Sequence, residues 1–169
     1  MTQAAPALID GARNPAPPAG SFPRSFDMPG YFQGRARGIG MFEDRFKRPR
    51  LRLVVDTWGR WQGDIFALSE FFRYADGRSL RRDWRIIRAG ENLLRATASD
   101  VIGEAEGRAT ENGIVWRYRM YVRMKTRQLA MSFHDRLYLE PDGIVINVND
   151  AAKFGVRVGR LVLSFRRMG

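Results

Sequence analysis

Apolar and polar residues alternate along most of the chain from about residue 36 onward. Residues 114–125 and 128–140 are the longest stretches with this pattern, and Leu51, Leu53 and Val55 show it between charged neighbours. A period of two places successive side chains on opposite faces of a β-strand. No segment keeps helical spacing beyond about two turns, although residues 149–154 are consistent with one short turn. The pattern therefore predicts an all-β protein.

Turn signals divide the alternating stretches into short strands. Asp76-Gly77, Asn112-Gly113 and Asp142-Gly143 are typical of tight hairpins, because these residue types adopt positive φ angles readily. Gly59 and residues 89–92 mark further turns, and the other predicted strands cover residues 65–74, 80–88, 93–99, 103–110, 144–148 and 158–167. Nine or ten strands at hairpin spacing favour an antiparallel up-and-down β-barrel, since closure removes exposed edges. Barrels of about eight strands can hold one small ligand.

The first thirty residues differ from the remainder of the chain. They contain six of the eight prolines, which disfavour helix and central strand alike. We predict that residues 1–30 form a flexible, extended tail or an arm covering the barrel, and that residues 31–169 form the barrel. This segment lacks the features of a secretory signal, and no cysteine is present for lipid attachment. We therefore expect a cytoplasmic protein, with or without peripheral contact at the inner membrane.

The more apolar face of each predicted strand is expected to face the barrel interior. Four of these faces each contain one charged residue, namely Glu70, Arg82, Asp100 and Asp135. Buried charges are costly unless they are paired or used. Two interpretations stay open: the four residues lie paired at a wet barrel mouth, or they form a polar patch inside an aromatic cavity. The predicted inward residues beside them include Phe66, Leu68, Phe72, Tyr74, Leu80, Trp84, Ile86, Leu94, Ala96, Ala98, Ile114, Trp116, Tyr118, Met120, Val122, Leu129, Met131, Phe133, Leu137 and Leu139.

Composition excludes several classes of site. The chain of 169 residues has no cysteine and a single histidine, His134, so thiolate chemistry and a two-histidine metal centre within one chain are ruled out. No metal or cofactor is predicted. The formal net charge is +11, with 26 Arg and 3 Lys among the 29 cations, which is consistent either with a coding bias toward arginine or with a polyanionic partner.

The arginines predicted to face outward form the best candidate surface for such a partner. These residues are Arg81, Arg85, Arg117, Arg119 and Arg123. On neighbouring strands they would form a band that attracts anionic phospholipid headgroups. Nucleic acid is the competing partner, but single-strand binders expose aromatic rings among their cations. Trp116 and Tyr118 fall on the opposite face from Arg117 and Arg119, which counts against nucleic acid.

Six short sequence stretches together resemble a bacterial family of lipocalin-like proteins of unknown function, many of whose members carry lipoprotein signals. The resemblance covers roughly residues 31–167. The stretches are residues 38–46 (GIGMFEDRF), 74–77 (YADG), 84–86 (WRI), 99–105 (SDVIGEA), 116–118 (WRY) and 153–159 (KFGVRVG). The family pattern has an acidic pair where this chain has His134-Asp135, so only Asp135 carries over. Because the chain lacks the lipoprotein signal and its cysteine, outer-membrane anchoring is not expected.

The resemblance implies a calycin-type barrel with a lipid-sized cavity. It also implies a connection with enzymes that modify the acyl chains of membrane phospholipids, because relatives without a lipoprotein signal are often encoded beside such enzymes. Fold analogy alone does not establish chemistry. The first hypothesis is accordingly a lipid-binding barrel that takes part in membrane fatty-acid modification, as carrier, presenter or catalyst. Its apolar ligand-binding residues would be Trp84, Trp116, Tyr118, Met120, Met131 and Phe133, while Arg82 would contact a carboxylate or phosphate.

Two alternatives stay open from the sequence. The barrel could be a cofactor-independent isomerase or hydratase acting on an unsaturated acyl chain, with Glu70, Asp100 or Asp135 as general acid or base and Tyr118 as proton donor. It could instead be a basic protein that binds nucleic acid, with an affinity that falls steeply as salt increases. Acyl-chain-modifying enzymes are expected partners under the lipid-binding hypothesis.

Overall fold

The computed structural model describes residues 26–111, 113–123 and 126–169. A five-residue helix, α1 (Met28–Phe32), precedes ten antiparallel strands. Each strand pairs with its neighbours in the sequence, and β1 also pairs with β10, so the sheet closes into an up-and-down barrel. This confirms the predicted fold class. The strands are β1 (Gly34–Asp44), β2 (Pro49–Gln62), β3 (Ile65–Tyr74), β4 (Ser79–Gly90), β5 (Leu93–Thr97), β6 (Ala105–Thr110), β7 (Gly113–Arg123), β8 (Gln128–Leu139), β9 (Val145–Lys153) and β10 (Val156–Met168).

The three turns with an Asp-Gly or Asn-Gly signal lie where the sequence predicts them, whereas the β1–β2 and β9–β10 hairpins carry no such signal. Gly77 and Gly143 have φ angles of 88° and 78°, which glycine adopts without the steric cost that a Cβ brings. Strands β6 and β7 pair up to Thr110 and Gly113, so a tight connection joins them. Asn112 of that predicted turn lies outside the described residues.

Two turn predictions are wrong. Strand β2 continues through Gly59, where a Cβ would collide with the carbonyl oxygen of Phe32 and the ring of Phe66. Glycine is needed there for the close approach of α1 to the strand, and not for a turn. Strand β9 likewise runs through the predicted turn at residues 149–154 as far as Lys153. Its inner face contains Asn147 and Asn149, so polar residues occupy positions where the alternation predicts apolar ones.

Helix α1 packs across one end of the barrel, which we call the closed end. Phe26, Met28 and Phe32 are buried there, and the Phe32 ring packs edge-on against Phe165 at 5.3 Å. The Tyr31 hydroxyl lies 3.0 Å from the carbonyl oxygens of both Gly143 and Phe165, to which it can donate. These contacts fix the helix to the last strand and to the β8–β9 connection.

The helix spans the boundary at residues 30 and 31 between the predicted arm and barrel. Residues 1–25 of that arm lie outside the described residues, and the division into arm and barrel stays a prediction. No helix in the described part of the chain has the length and apolar character that crossing a bilayer requires.

Candidate functional site

The barrel encloses a cavity of about 1000 Å³ between the closed end and the opposite end, which we call the open end. Toward the closed end its wall is apolar, with Ile86, Leu137 and Phe165. Toward the open end the wall is again mostly apolar, and the lining reaches the exposed Arg78 and Gln128 at the rim. The volume is at the upper end of the range typical of small-ligand sites.

Polar side chains meet at mid-depth of the cavity and form what we call the polar girdle. On one wall, the Arg82 guanidinium donates to both carboxylate oxygens of Asp100, with Nε–O distances of 3.0 and 3.2 Å. The same guanidinium lies 3.8 Å from Glu70, which also accepts a 2.9 Å hydrogen bond from the indole of Trp84. Arg82 is only 15% exposed. The full girdle consists of Glu70, Arg82, Asp100, Tyr118, Asp135, Asn147 and Asn149.

The other wall of the girdle is built from strands β7, β8 and β9. The Asn147 amide donates to the Asp135 carboxylate, and the Asn149 amide donates to the Tyr118 hydroxyl at 2.8 Å. The Asn149 Oδ1 atom is buried without a hydrogen-bond partner. A buried acceptor of this kind costs roughly 1–3 kcal/mol unless something donates to it.

Burial shifts the pKa values of the acidic groups in the girdle upward. Burial raises the pKa of Asp135 to about 7, and it raises the pKa of Glu70 despite the nearby Arg82. Burial also raises the pKa of the Tyr118 hydroxyl well above its ordinary value, so that this group stays protonated. The girdle thus contains three carboxyl groups for one guanidinium, and one carboxyl titrates near neutral pH.

Four charged residues were predicted from separate strand faces, and the structure brings them into one cavity. Glu70, Arg82 and Asp100 form one ionic cluster, while Asp135 lies on the far wall with Asn147. Asp100 is not on a strand: β5 ends at Thr97, and Asp100 lies in the connection to β6. Arg82 is already engaged by Asp100 and Glu70 in this structure, and its role toward a ligand anion stays a prediction.

Most of the predicted aromatic and apolar site residues line the cavity. Trp84, Trp116, Met120 and Phe133 do so, and the ring of Tyr118 stacks on Phe133 at 5.2 Å. Their role as ligand contacts stays a prediction.

Met131 and Arg123 do not follow the prediction. Met131 is half-buried and is not part of the cavity wall, although Phe133 and Asp135 on the same face of β8 line it. Arg123 does not belong to the outer face alone, since at the end of β7 it lines the rim of the cavity.

Sequence reasoning missed Asn147 and Asn149, which supply most of the hydrogen bonds on the second wall. Strand β9 reads Val-Ile-Asn-Val-Asn-Asp, and Val145, Asn147, Asn149 and Ala151 share its inner face. The opposite face of the strand carries Ile146 and Val148, so the alternation gives no signal that these two amides face inward.

The predicted arginine band does not form a continuous surface. Arg81 and Arg85 lie on β4, whereas Arg117 and Arg119 lie on β7, and β5 and β6 separate the two groups. The alternation within each strand does not specify which strands become neighbours, so it cannot place these arginines relative to one another.

The outer wall of β2 and β3 carries exposed aromatic rings among arginines. Trp58 is 57% exposed with the Arg60 guanidinium 5.7 Å from its ring, and Arg81 lies 5.1 Å from the ring of Phe71. Exposed aromatics among cations are what the nucleic-acid alternative requires. The inward rings of Trp116 and Tyr118 count against nucleic acid only at β7, because the wall of β2 and β3 does expose rings beside arginines.

Metal binding finds no support in the described residues. Within those ranges no group of three or more His, Asp or Glu side chains is positioned to hold a metal ion.

Comparisons with known proteins agree with the barrel. The chain belongs to the family described as "Protein of unknown function (DUF3833)", whose pattern matches residues 18–167. The fold is similar to that of an S-type phycobiliprotein lyase from Guillardia theta, with a TM-score of 0.61 and 9% sequence identity over 83% of this chain and 90% of the lyase. At that identity the likeness shows a shared barrel fold and no more. No curated protein sequence matches the chain significantly.

Proposed function

We propose that the barrel binds one small amphipathic molecule, with an acyl chain as its apolar part. The observation that carries this proposal is the cavity of about 1000 Å³, which has apolar walls on both sides of a polar girdle. Apolar pockets with a few placed polar groups are the usual design for small ligands. The likeness of the fold to a phycobiliprotein lyase supports a ligand-binding role for the barrel, although it does not indicate which ligand.

The girdle favours a ligand whose polar group donates hydrogen bonds. Arg82 is engaged by Asp100 and Glu70, whereas Asp135 lines the cavity and offers a carboxyl group as an acceptor. A free carboxylate or phosphate at this depth would meet Asp135 and Glu70 and would be repelled when they are ionised. An alcohol, an amide or an amine at the head of the chain can donate a hydrogen bond to the Asp135 carboxyl group.

A series of ligands with one chain and three head groups tests this assignment. The barrel is incubated with palmitate, hexadecanol or hexadecylamine about one pH unit above the pKa of Asp135, and bound ligand is counted by native mass spectrometry. We expect the alcohol and the amine to bind one per chain and palmitate to bind about tenfold more weakly, which corresponds to roughly one hydrogen bond to a charged group. Preferential binding of palmitate would reverse the head-group assignment. Binding of none of the three would reject an acyl ligand.

Two adjacent alanines on β9 provide a matched pair of variants. Ala151 is buried and lines the cavity, whereas Ala152 lies next to it on the opposite face of the strand. Ala151→Phe should fill part of the cavity and abolish binding of hexadecanol. Ala152→Phe should bind it like the unaltered protein. Equal binding by both variants would place the ligand outside the barrel.

An enzyme of the same shape is the second candidate, and the pKa of Asp135 near 7 favours it. A carboxylate that titrates there can remove a proton from the carbon beside a double bond and return it at the far end of the allylic system. The Tyr118 hydroxyl accepts from Asn149, so its own proton is free to be donated. Asp100 is less suited to this role because Arg82 holds it.

Turnover and binding separate the two candidates. With an unsaturated long-chain alcohol, an enzyme moves the double bond, and Asp135→Asn loses that activity while it still retains the ligand. A carrier leaves the double bond in place in either variant. Participation in membrane fatty-acid modification stays a prediction from the family resemblance.

A further inference from the structure

Two neighbouring hairpins at the open end expose phenylalanine side chains at their tips. Phe46 lies in the β1–β2 connection and is 62% exposed, and Phe154 lies in the β9–β10 connection and is 93% exposed. Because β1 pairs with both β2 and β10, the two hairpins are adjacent at one side of the rim. Scattered exposed apolar residues are ordinary on protein surfaces, but two aromatic tips on the same rim form a feature that requires a reason.

The backbone conformation at Phe154 is unusual for a phenylalanine. Phe154 has a φ of 51° and is followed by Gly155 at 79°, so the two form a hairpin turn with positive φ at both central positions. Asparagine, aspartate or glycine normally occupies the first of these positions, since a bulky residue is strained in the left-handed region. Here a large aromatic residue occupies it and is almost fully exposed. Both backbone preference and solvation favour a different residue.

Cations surround both aromatic tips. The Arg45 and Arg48 guanidinium groups lie 4.6 and 5.6 Å from the centre of the Phe46 ring, and the Lys153 ammonium lies 5.1 Å from that of Phe154. Residues 43–50 and 153–157 contain six Lys or Arg and only two Asp or Glu. One of these acids, Asp44, is held by Arg50 and by the backbone N–H groups of Phe46 and Arg48. The tips are thus apolar at the centre and positive around it.

The cavity reaches the same end of the barrel. Phe42, Leu51 and Leu161 lie just below the two tips, on the strands that carry them, and all three line the cavity wall. A surface that touches Phe46 and Phe154 therefore also faces the mouth of the cavity. Apolar side chains ringed by Lys and Arg are the combination by which peripheral proteins bind anionic bilayers.

We propose that the open end docks on an anionic lipid bilayer. Phe46 and Phe154 enter the boundary between headgroups and acyl chains, while Arg45, Arg48 and Lys153 contact lipid phosphates. The docking surface lies at the rim and not on the outer arginines of β4 and β7. It goes beyond ligand binding, because it requires no molecule in the cavity.

Co-sedimentation with vesicles tests the docking. The full chain is mixed with vesicles of phosphatidylcholine alone, or of equal parts of phosphatidylcholine and phosphatidylglycerol. We expect binding to the mixed vesicles and little to the neutral ones. The variant F46S/F154S should bind the mixed vesicles at least tenfold more weakly, because two apolar side chains no longer enter the bilayer. The variant R45Q/R48Q/K153Q should lose about a hundredfold, at roughly 1 kcal/mol for each cation.

A matched control uses the other exposed aromatic pair. The variant W58S/F71S removes two exposed rings, 57% and 37% exposed, from the outer wall and should bind the mixed vesicles like the unaltered chain. An equal loss in W58S/F71S, or unchanged binding by F46S/F154S, would overturn the proposal. So would a chain that ignores vesicles but shifts single-stranded DNA in a gel, since the cations would then serve nucleic acid.

The outcome is independent of the proposed ligand. Phe46 and Phe154 do not line the cavity, so F46S/F154S should retain hexadecanol in native mass spectrometry. Retention of hexadecanol together with loss of vesicle binding assigns docking to the rim. Vesicle binding without any hexadecanol binding would support docking and reject the acyl ligand.

Discussion

The two ends of the barrel treat aromatic residues and charge in opposite ways. At the closed end, Phe32 and Phe66 are buried almost completely, and the connections at residues 63–64, 91–92, 111–112 and 140–144 contain five acidic residues and no Lys or Arg. At the open end, Phe46 and Phe154 are exposed and are surrounded by cations. Aromatic burial therefore stabilises one end, whereas the other end exposes the same residue type to solvent.

The difference separates the source of stability from the source of binding. Helix α1 and the apolar cavity wall toward the closed end supply the packing there. The open end can therefore have an accessible cavity mouth and strained hairpin tips without loss of the fold. The uneven charge also orients the molecule, because an anionic surface attracts the open end and repels the acidic connections of the closed end. Three predictions examine this contrast.

The largest expected effect comes from the same substitution at the two ends. Phe66→Ala removes a fully buried ring that packs edge-on against Trp61 and should lower the free energy of unfolding by about 3–5 kcal/mol. Phe154→Ala at the open end should change it by no more than about 0.5 kcal/mol. Urea denaturation followed by tryptophan fluorescence measures both. Similar losses at the two ends would show that the open tips also stabilise the fold.

The next effect concerns the polar girdle, which lies between the two ends. Burial raises the pKa of Asp135 to about 7, while the unfolded chain titrates near 3.9. The folded state then binds more protons between these values, so stability should fall by a few kcal/mol as pH rises from about 4 to about 7. Asp135→Asn should weaken this dependence of stability on pH, which urea denaturation at several pH values measures.

Other carboxyl groups define the controls for that experiment. Burial also raises the pKa of Glu70. The pH dependence of stability that remains in Asp135→Asn should therefore decrease further when Glu70→Gln is added to it. Arginine hydrogen bonds lower the pKa values of Asp56 and Asp150, whose contributions to stability are lost only below about pH 4. A slope unchanged in Asp135→Asn would mean that Asp135 is ionised in the folded barrel.

The smallest expected effect compares two tyrosine hydroxyl groups. Tyr31→Phe removes the donor that reaches the carbonyl oxygens of Gly143 and Phe165, and it should destabilise the barrel by about 1–2 kcal/mol. Tyr121→Phe changes a hydroxyl on a side chain that is 49% exposed and should have an effect near zero. Thermal unfolding of both variants measures the difference. Equal shifts in Tm would show that the hydrogen bonds of Tyr31 do not stabilise the closed end more than an exposed hydroxyl does.

The alternation of residue types was sufficient to predict most of the barrel. It placed Phe66 through Tyr74 and Leu80 through Ile86 on the correct faces, because a period of two relates each side chain to its neighbours whatever the partner strand is. It also identified the charged girdle residues, since each is a charged residue at a position where the alternation predicts an apolar one. It failed at α1, whose five residues are too few to show a helical period.

What the sequence determined by itself was the all-β class, the hairpin turns at Asp76-Gly77, Asn112-Gly113 and Asp142-Gly143, and the inward charges, since all of these are local consequences of backbone geometry and side-chain parity. Only the tertiary structure decided that Arg82 pairs with Asp100, that Asn147 and Asn149 face the cavity, and that Phe46 and Phe154 share a rim. These facts depend on which strands become neighbours when the sheet closes. That depends on contacts between residues far apart in the chain, and no local pattern contains them.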